Sequence, residues 1–341
     1  MVEKFLLLRI PGIPDTEDFL RQDSRFNIDN RLIPYILLAD YLKKFDCILS
    51  NHYLKEVNYS LILDVNVQSK FSFYNVKHIL LLVETSEVYH KNSFIPDYYQ
   101  SILTWSINNK NNFVFAPFPV PLLINSFPKY VDKKTIFINF IYNNKSLCGF
   151  FDNDYYSKRF QLAYYIQNNF PDKIAIYGSG WHLPFVRGPK LIRIFGKITI
   201  KALRYVFGSR IFRNRFIRSN GSLESKYDVL TVSKFTIAYE NCGDNANYVT
   251  EKIFDALLSG SVPVYLGNKV TFSSIPLDLY VDARMFANEE DLFDSLLNMP
   301  DLKYKQYLEK AKQFFLDKKH IPYTANTFAD KASKFVIKNL S

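Results

Sequence analysis

The stretch from Tyr239 to Gly267, YENCGDNANYVTEKIFDALLSGSVPVYLG, constrains the fold of this chain more than any other. Lys234 to Tyr239 is a short apolar run of strand type, and Glu240 to Asn247 supplies small polar turn residues around Gly243. Thr250 stands where a helix cap belongs, and Ile253, Phe254, Ala256, Leu257 and Leu258 give the following segment one broad apolar side up to Gly260. A buried strand, Val262 to Leu266, follows at once. Strand, loop, helix and strand in this order make a βαβ unit, which sets the loop and helix start at the carboxyl edge of a parallel sheet, where ligands bind.

The free backbone NH groups and the positive dipole end at Glu251 to Ile253 suit an anion such as phosphate. Lys252 in that first turn opposes the dipole by about a few tenths of a kcal/mol, which a bound phosphate would repay. A lysine that snorkels into solvent is the alternative. Glu251 could accept hydrogen bonds from ribose hydroxyls, although acids are common in any first helical turn.

The run Tyr239-Glu240-Asn241, Tyr248-Val249-Thr250-Glu251-Lys252 and Gly260-Ser261-Val262-Pro263-Val264-Tyr265-Leu266-Gly267 resembles the donor-binding motif of the alpha-1,3/4-fucosyltransferases. The resemblance is specific over about thirty residues, looser from about Leu80 onward, and no more than a compatible pattern before it. It implies an α/β chain of GT-B fold, with two Rossmann-like domains facing each other across a cleft. It also implies GDP-fucose as donor, a glycan acceptor, an inverting mechanism and no metal in the site. Within that family Lys252 would meet the diphosphate, Glu251 the ribose, and Asn241 and Tyr248 the diphosphate or the fucose.

A chain of 341 residues suits two domains, and 48% hydrophobic with 22% charged residues is a globular composition. Cys47, Cys148 and Cys242 are far apart and lack metal-ligand spacing, which gives neither a disulfide framework nor a zinc site. A reducing, cytoplasmic setting is expected. Phe5 to Ile10 is too short for a signal peptide or a membrane span and reads as a first strand, so the chain looks like the soluble bacterial type of the family.

Arg31 to Phe45 reads as a helix despite Pro34, and Cys47 to Leu49, Leu61 to Val65 and His78 to Val83 read as buried strands. The last of these ends at Glu84-Thr85-Ser86-Glu87, at the carboxyl edge where catalytic residues collect. By the resemblance Glu84 is the general base, which takes the proton of an acceptor hydroxyl. Family members usually carry glycine before this glutamate and Asn or Ser after it; here the neighbours are Val83 and Thr85, and Glu87 stays a second candidate. His90, Lys91 and Asn92 in the same loop are either acceptor contacts or plain solvated loop.

Prolines extend Phe115 to Pro121, and a first, acceptor domain is placed at 1–125. A nucleotide-sugar domain follows at 126–320, and a last helix within 321–341 would cross back to the first domain. Thr135 to Ile141 opens the second domain, and a helix is expected over Ser157 to Asn169 with Arg159 in its first turn. There an arginine can grip a diphosphate, as the family's does, with Lys158 as fallback. Asp152-Asn153-Asp154 spells the metal-binding DxD pattern, but such triplets are common turns and the family uses no metal. Ile174 to Tyr177 is a strand leading to Gly178-Ser179-Gly180-Trp181.

From Arg187 to Arg218 there are ten basic residues and no acidic one, as many charges as the formal net charge of +10. On a helix, Lys190, Arg193, Lys197, Lys201 and Arg204 fall in an arc of about 80°, with Leu191, Ile194, Phe195, Ile198, Ala202, Tyr205 and Val206 beside it and Gly196 as a weak point. Such a basic amphipathic helix suits an anionic membrane surface, with peripheral association on the inner face. A helix packed on the body by its apolar side is the alternative, and nucleic acid is not expected as a partner.

The leading expectation is transfer of fucose from GDP-fucose to a hydroxyl of N-acetylglucosamine or glucose in an oligosaccharide or lipid-linked glycan. A GT-B transferase using another nucleotide sugar, and a peripheral membrane-binding protein with a decayed site, are the rivals.

Overall fold

The computed structural model describes residues 3–14, 18–68, 76–106, 113–116, 131, 133–147, 149–207, 217–243, 247–268 and 275–340. The chain divides into two compact units: 1–125 with 245–251 and 318–341, and 126–244 with 252–317. The proline segment from Pro117 and the expected boundary near 125 lie outside the described residues.

In the first unit a six-stranded sheet runs in the order β2-β1-β3-β4-β5-β6 with every neighbour parallel. Its strands are β1 (Lys4–Arg9), β2 (Cys47–Ser50), β3 (Tyr59–Val65), β4 (Lys77–Leu82), β5 (Tyr99–Thr104) and β6 (Phe113–Phe115). Continuous Leu and Ile runs form β3 and β4 because both faces of an inner parallel strand are covered. Helix α1 (Ile33–Lys43) begins with Pro34 in its first turn, where the missing NH would have no helical partner. Its Tyr35, Leu38, Ala39 and Leu42 pack with Phe328, Ala332, Phe335 and Val336 of the last helix, Ala325–Leu340.

A buried polar cluster, invisible to periodicity, lies inside this sheet. Asp64 accepts from Arg9 Nε and Nη2 at 2.5 and 2.7 Å and from the Tyr99 hydroxyl at 2.9 Å, and His78 Nδ1 lies 3.4 Å away. Arg9 and Asp64 are 6% and 0% exposed, so each charge depends on the other.

The second unit holds a five-stranded parallel sheet in the order β11-β10-β9-β7-β8, with strands β7 (Ile136–Ile141), β8 (Ile174–Tyr177), β9 (Ser233–Tyr239), β10 (Val262–Leu266) and β11 (Val281–Asp282). Helices alternate with these strands: α2 (Tyr155–Asn169), α3 (Lys190–Phe207), α4 (Tyr227–Leu230), α5 (Glu251–Leu258), α6 (Glu289–Leu297) and α7 (Asp301–Leu316). The helix Ala325–Leu340 of the first unit is then α8.

Helix α2 starts two residues before the sequence suggests, because the Asp154 carboxylate caps it by accepting from the NH groups of Tyr156 and Ser157. Arg159 therefore sits beyond the first turn, and the dipole argument for a phosphate there loses force. At the turn after β8, Gly178 has φ +111, and a Cβ there would lie 2.2 Å from the Tyr142 carbonyl oxygen, so only glycine fits. Lys134 donates to the Thr231 carbonyl at 2.6 Å, and burial pushes its ammonium down to about 8. Among the described residues no helix is long and apolar enough to cross a membrane.

Candidate active site

In the first unit Glu84 follows β4 directly, and its backbone is fixed by asparagines that the sequence did not single out for it. Asn66, at φ +56 just past β3, accepts through Oδ1 from the NH groups of Val83 and Glu84 at 3.1 and 2.9 Å and from Asn92 Nδ2 at 3.1 Å. Asn92 also donates to the Glu84 carbonyl at 2.7 Å, and Trp105 Nε1 donates to the Val83 carbonyl at 2.9 Å. The position of Glu84 is thus set from both sides by buried side chains.

The Tyr248 hydroxyl donates to Glu84 Oε2 at 2.9 Å, and the Tyr248 ring stacks edge-on against Trp105 with centroids 4.9 Å apart. Tyr248 was expected at the diphosphate or fucose; in this structure its hydroxyl is on the carboxylate of Glu84. Burial first and the Glu84 charge second push the phenol of buried Tyr35 up. Glu87, by contrast, accepts from its neighbour Ser86 at 3.2 Å, so the two candidate bases differ in their surroundings. Asn92 is a buried strut, while His90 and Lys91 are exposed.

Of the predicted donor residues, Arg159, Asn241 and Lys252 lie in the second unit, about the carboxyl end of β9 and the first turn of α5, and Glu251 and Tyr248 in the first. Arg159 is 3% exposed; its Nη2 donates to the Tyr239 carbonyl at 2.5 Å and to Asn241 Oδ1 at 3.0 Å. The rings of Tyr142 and Tyr156 lie 4.1 and 4.7 Å from its guanidinium carbon. Its Nε is buried without a hydrogen-bond partner. Arg159 therefore joins the end of β9 to Asn241 instead of lying open to solvent.

Lys252, in the first turn of α5, has its Nζ 3.4 Å from Glu240 Oε2, and Glu240 is fully buried and accepts from the Tyr265 hydroxyl at 3.3 Å. Neither expectation for Lys252, a phosphate or open water, included this carboxylate. Sequence alone gave Glu240 only a turn role. The ion pair offsets the charge of Lys252 against the helix dipole, and the Lys252 side chain is 14% exposed. Glu251, at the start of α5, is half-buried.

The Asp152-Asn153-Asp154 run has a structural account. Besides the helix cap, Asn153 Nδ2 donates to the Gly243 carbonyl and Gly243 NH to the Asn153 carbonyl, both at 2.9 Å, which pins the donor loop to the start of α2. Among the described residues no group of three or more His, Cys, Asp or Glu could hold a metal ion. Beside this loop, Lys158, Tyr239, Leu266, Arg284, Asn288 and Glu289 line a pocket of about 180 Å³. Lys158, the fallback for Arg159, is thus the one of the two that opens on a cavity.

Residues 198–334 match the family model described as Glycosyltransferase family 10 (fucosyltransferase) C-term. The chain is 29% identical over 96 residues to the Alpha-(1,3)-fucosyltransferase FucT of Helicobacter pylori, covering 28% of this chain and 18% of that one. It is 36% identical over 76 residues to an Alpha-(1,4)-fucosyltransferase of Arabidopsis thaliana, covering 22% and 19%. The matches span less than a fifth of either relative. Among solved structures, an alpha1,3-fucosyltransferase with GDP is similar at TM-score 0.50 and 14% identity over 90% of this chain and 82% of that one. A DNA modifying beta-glucosyltransferase is similar at 0.53 and 11% over 97% and 98%. The motif and the family model agree over residues 198–334, which are similar to the C-terminal part of family 10 fucosyltransferases, and the two parallel-sheet units have the GT-B fold.

Proposed function

We propose that this protein transfers fucose from GDP-fucose to a hydroxyl of a glycan acceptor, with inversion at the anomeric carbon. The observation that carries the reading is Glu84, whose backbone is held at a strand end by Asn66 and Asn92 and whose carboxylate accepts from the Tyr248 hydroxyl. A base fixed in this way can take the acceptor proton as the oxygen attacks. Tyr248 orients the carboxylate through Oε2.

Lys252 neutralises charge as it grows on the departing diphosphate. Arg159 acts through Asn241, whose Oδ1 it holds so that the amide nitrogen donates to a phosphate oxygen. Lys158 is the second cation for that group, and Glu251 binds the ribose. GDP departs without an acid and without a metal ion. The acceptor is an N-acetylglucosamine or glucose unit of an oligosaccharide or lipid-linked glycan.

The test is an assay of GDP-fucose with acceptors carrying galactose, glucose or N-acetylglucosamine, run with and without EDTA, and with the anomer of the product read by NMR. The reading requires an α-fucoside made from the β-linked donor at equal rate in both conditions. Retention of configuration refutes the base role of Glu84, and loss of turnover in EDTA refutes the metal-free site.

A further inference from the structure

Helix α3 is the motif that the transfer reaction leaves unused. It is held to its unit along one side: Arg193 Nη1 donates to the Ser146 carbonyl at 2.9 Å and to its hydroxyl at 3.2 Å. Gly196 lies so near Val186 that a Cβ there would come within 2.9 Å of Cγ1. The glycine that looked like a weakness in the helix is thus a close-packing point. At about 100° per residue Arg193 and Gly196 stand about 60° apart, with half-buried Ile200 between them and Lys197 close by.

The opposite side carries Ile198, Leu191, Phe195 and Val206, which are 58%, 68%, 66% and 70% exposed, with Tyr205 and Ala202 among them. A helix packed on the body by its apolar side would bury these residues, so that alternative is overturned. Lys190 and Lys201 stand exposed along one edge of this apolar face. The segment 187–218 contains no acidic residue.

We propose that α3 lies in the plane of an anionic lipid bilayer, with Leu191, Phe195, Ile198 and Val206 in the acyl boundary and Lys190 and Lys201 at the headgroups. The chemistry of the occupant follows from the pairing of features. A wide apolar face needs an apolar phase, and a single-sign basic edge needs negative charge beside it. Tyr205 is of the amphipathic aromatic type enriched at membrane interfaces. A second copy of this surface would set positive charge near positive charge. The inference rests on α3 alone and stands whatever the donor proves to be.

The test is sedimentation with phosphatidylcholine vesicles with and without phosphatidylserine, with light scattering to read mass in solution. Wild type binds the phosphatidylserine vesicles at least tenfold more tightly than the neutral ones. Lys190→Gln with Lys201→Gln weakens that binding about 25-fold, at about fivefold per basic side chain. Phe195→Ser with Ile198→Ser abolishes it at unchanged thermal midpoint, because both side chains are exposed. Equal binding to both vesicle types, or none to either, overturns the proposal. So does a concentration-dependent dimer that the serine pair dissolves, or binding to a uridine homopolymer without binding to vesicles.

Discussion

Replacing Glu84 by Gln is the most informative single change. The amide has the shape of the carboxylate, so the backbone bonds from Asn66 and Asn92 are kept, and the Tyr248 hydroxyl at 2.9 Å can still donate to the remaining carbonyl oxygen. In the ground state the Tyr248 bond changes from one to a charged acceptor, worth about 1.5 to 3 kcal/mol, to a neutral one of about 0.5 to 1.5. The difference of about 1 kcal/mol lowers the melting midpoint by a few degrees. Turnover loses much more, since a positioned base contributes about 10² to 10⁴ in rate. Initial rates of fucose transfer at saturating donor, with calorimetric titration of GDP, read the two effects separately. The expected result is a fall of at least a hundredfold in kcat with the GDP dissociation constant within about twofold of wild type. Unchanged turnover refutes the base assignment and returns Glu87 to consideration. Loss of GDP affinity in step with kcat refutes the separation of roles.

Further outcomes follow from other contacts. Lys252→Met leaves the fully buried Glu240 carboxylate short of its lysine partner, so stability and GDP affinity should both fall; adding Glu240→Gln should restore the urea midpoint but not the affinity. Arg9→Met leaves Asp64 charged inside the first unit and should cost about 3 to 5 kcal/mol in chemical denaturation, and a change under 1 kcal/mol would contradict the pairing. Lys134, pushed from 10.5 to about 8 by burial, binds fewer protons folded than unfolded between those values. Wild type should therefore gain urea resistance relative to Lys134→Met as pH rises from about 8 to about 10, and parallel curves would refute that environment.

Much of the fold was legible because apolar runs decide it. Val262 to Leu266 is β10 as read, Lys234 to Tyr239 falls within β9, and His78 to Val83 overlaps β4. The helix after the donor loop, read as Glu251 to Ser259, ends at Leu258. These segments bury both faces or one whole side, and the pattern itself carries the information.

Pairings between distant polar residues were not legible. Arg9 with Asp64, Lys252 with Glu240 and Arg159 with Asn241 are separated by 55, 12 and 82 positions, and no local period connects them. The role of Asn66 needs a left-handed backbone just past a strand end, which Asn tolerates but its letter does not announce. The helix starts at Tyr155, ahead of the expected Ser157, for a related reason: Asp154 reads as part of a common DxD turn, while its side chain is the helix cap. On α3 the basic arc and apolar face were legible, but the side that meets the body was fixed by Arg193 on Ser146 and by Gly196 on Val186, contacts to residues outside the helix.

The central claim is that this chain spends GDP-fucose on a glycan hydroxyl. Its most direct measurement is the purified protein offered GDP-fucose and UDP-sugars in parallel with the same acceptor panel, with sugar incorporation and nucleotide release followed together. The account predicts fucosylated product and stoichiometric GDP with the UDP-sugars untouched; consumption of a UDP-sugar while GDP-fucose stays intact would contradict it.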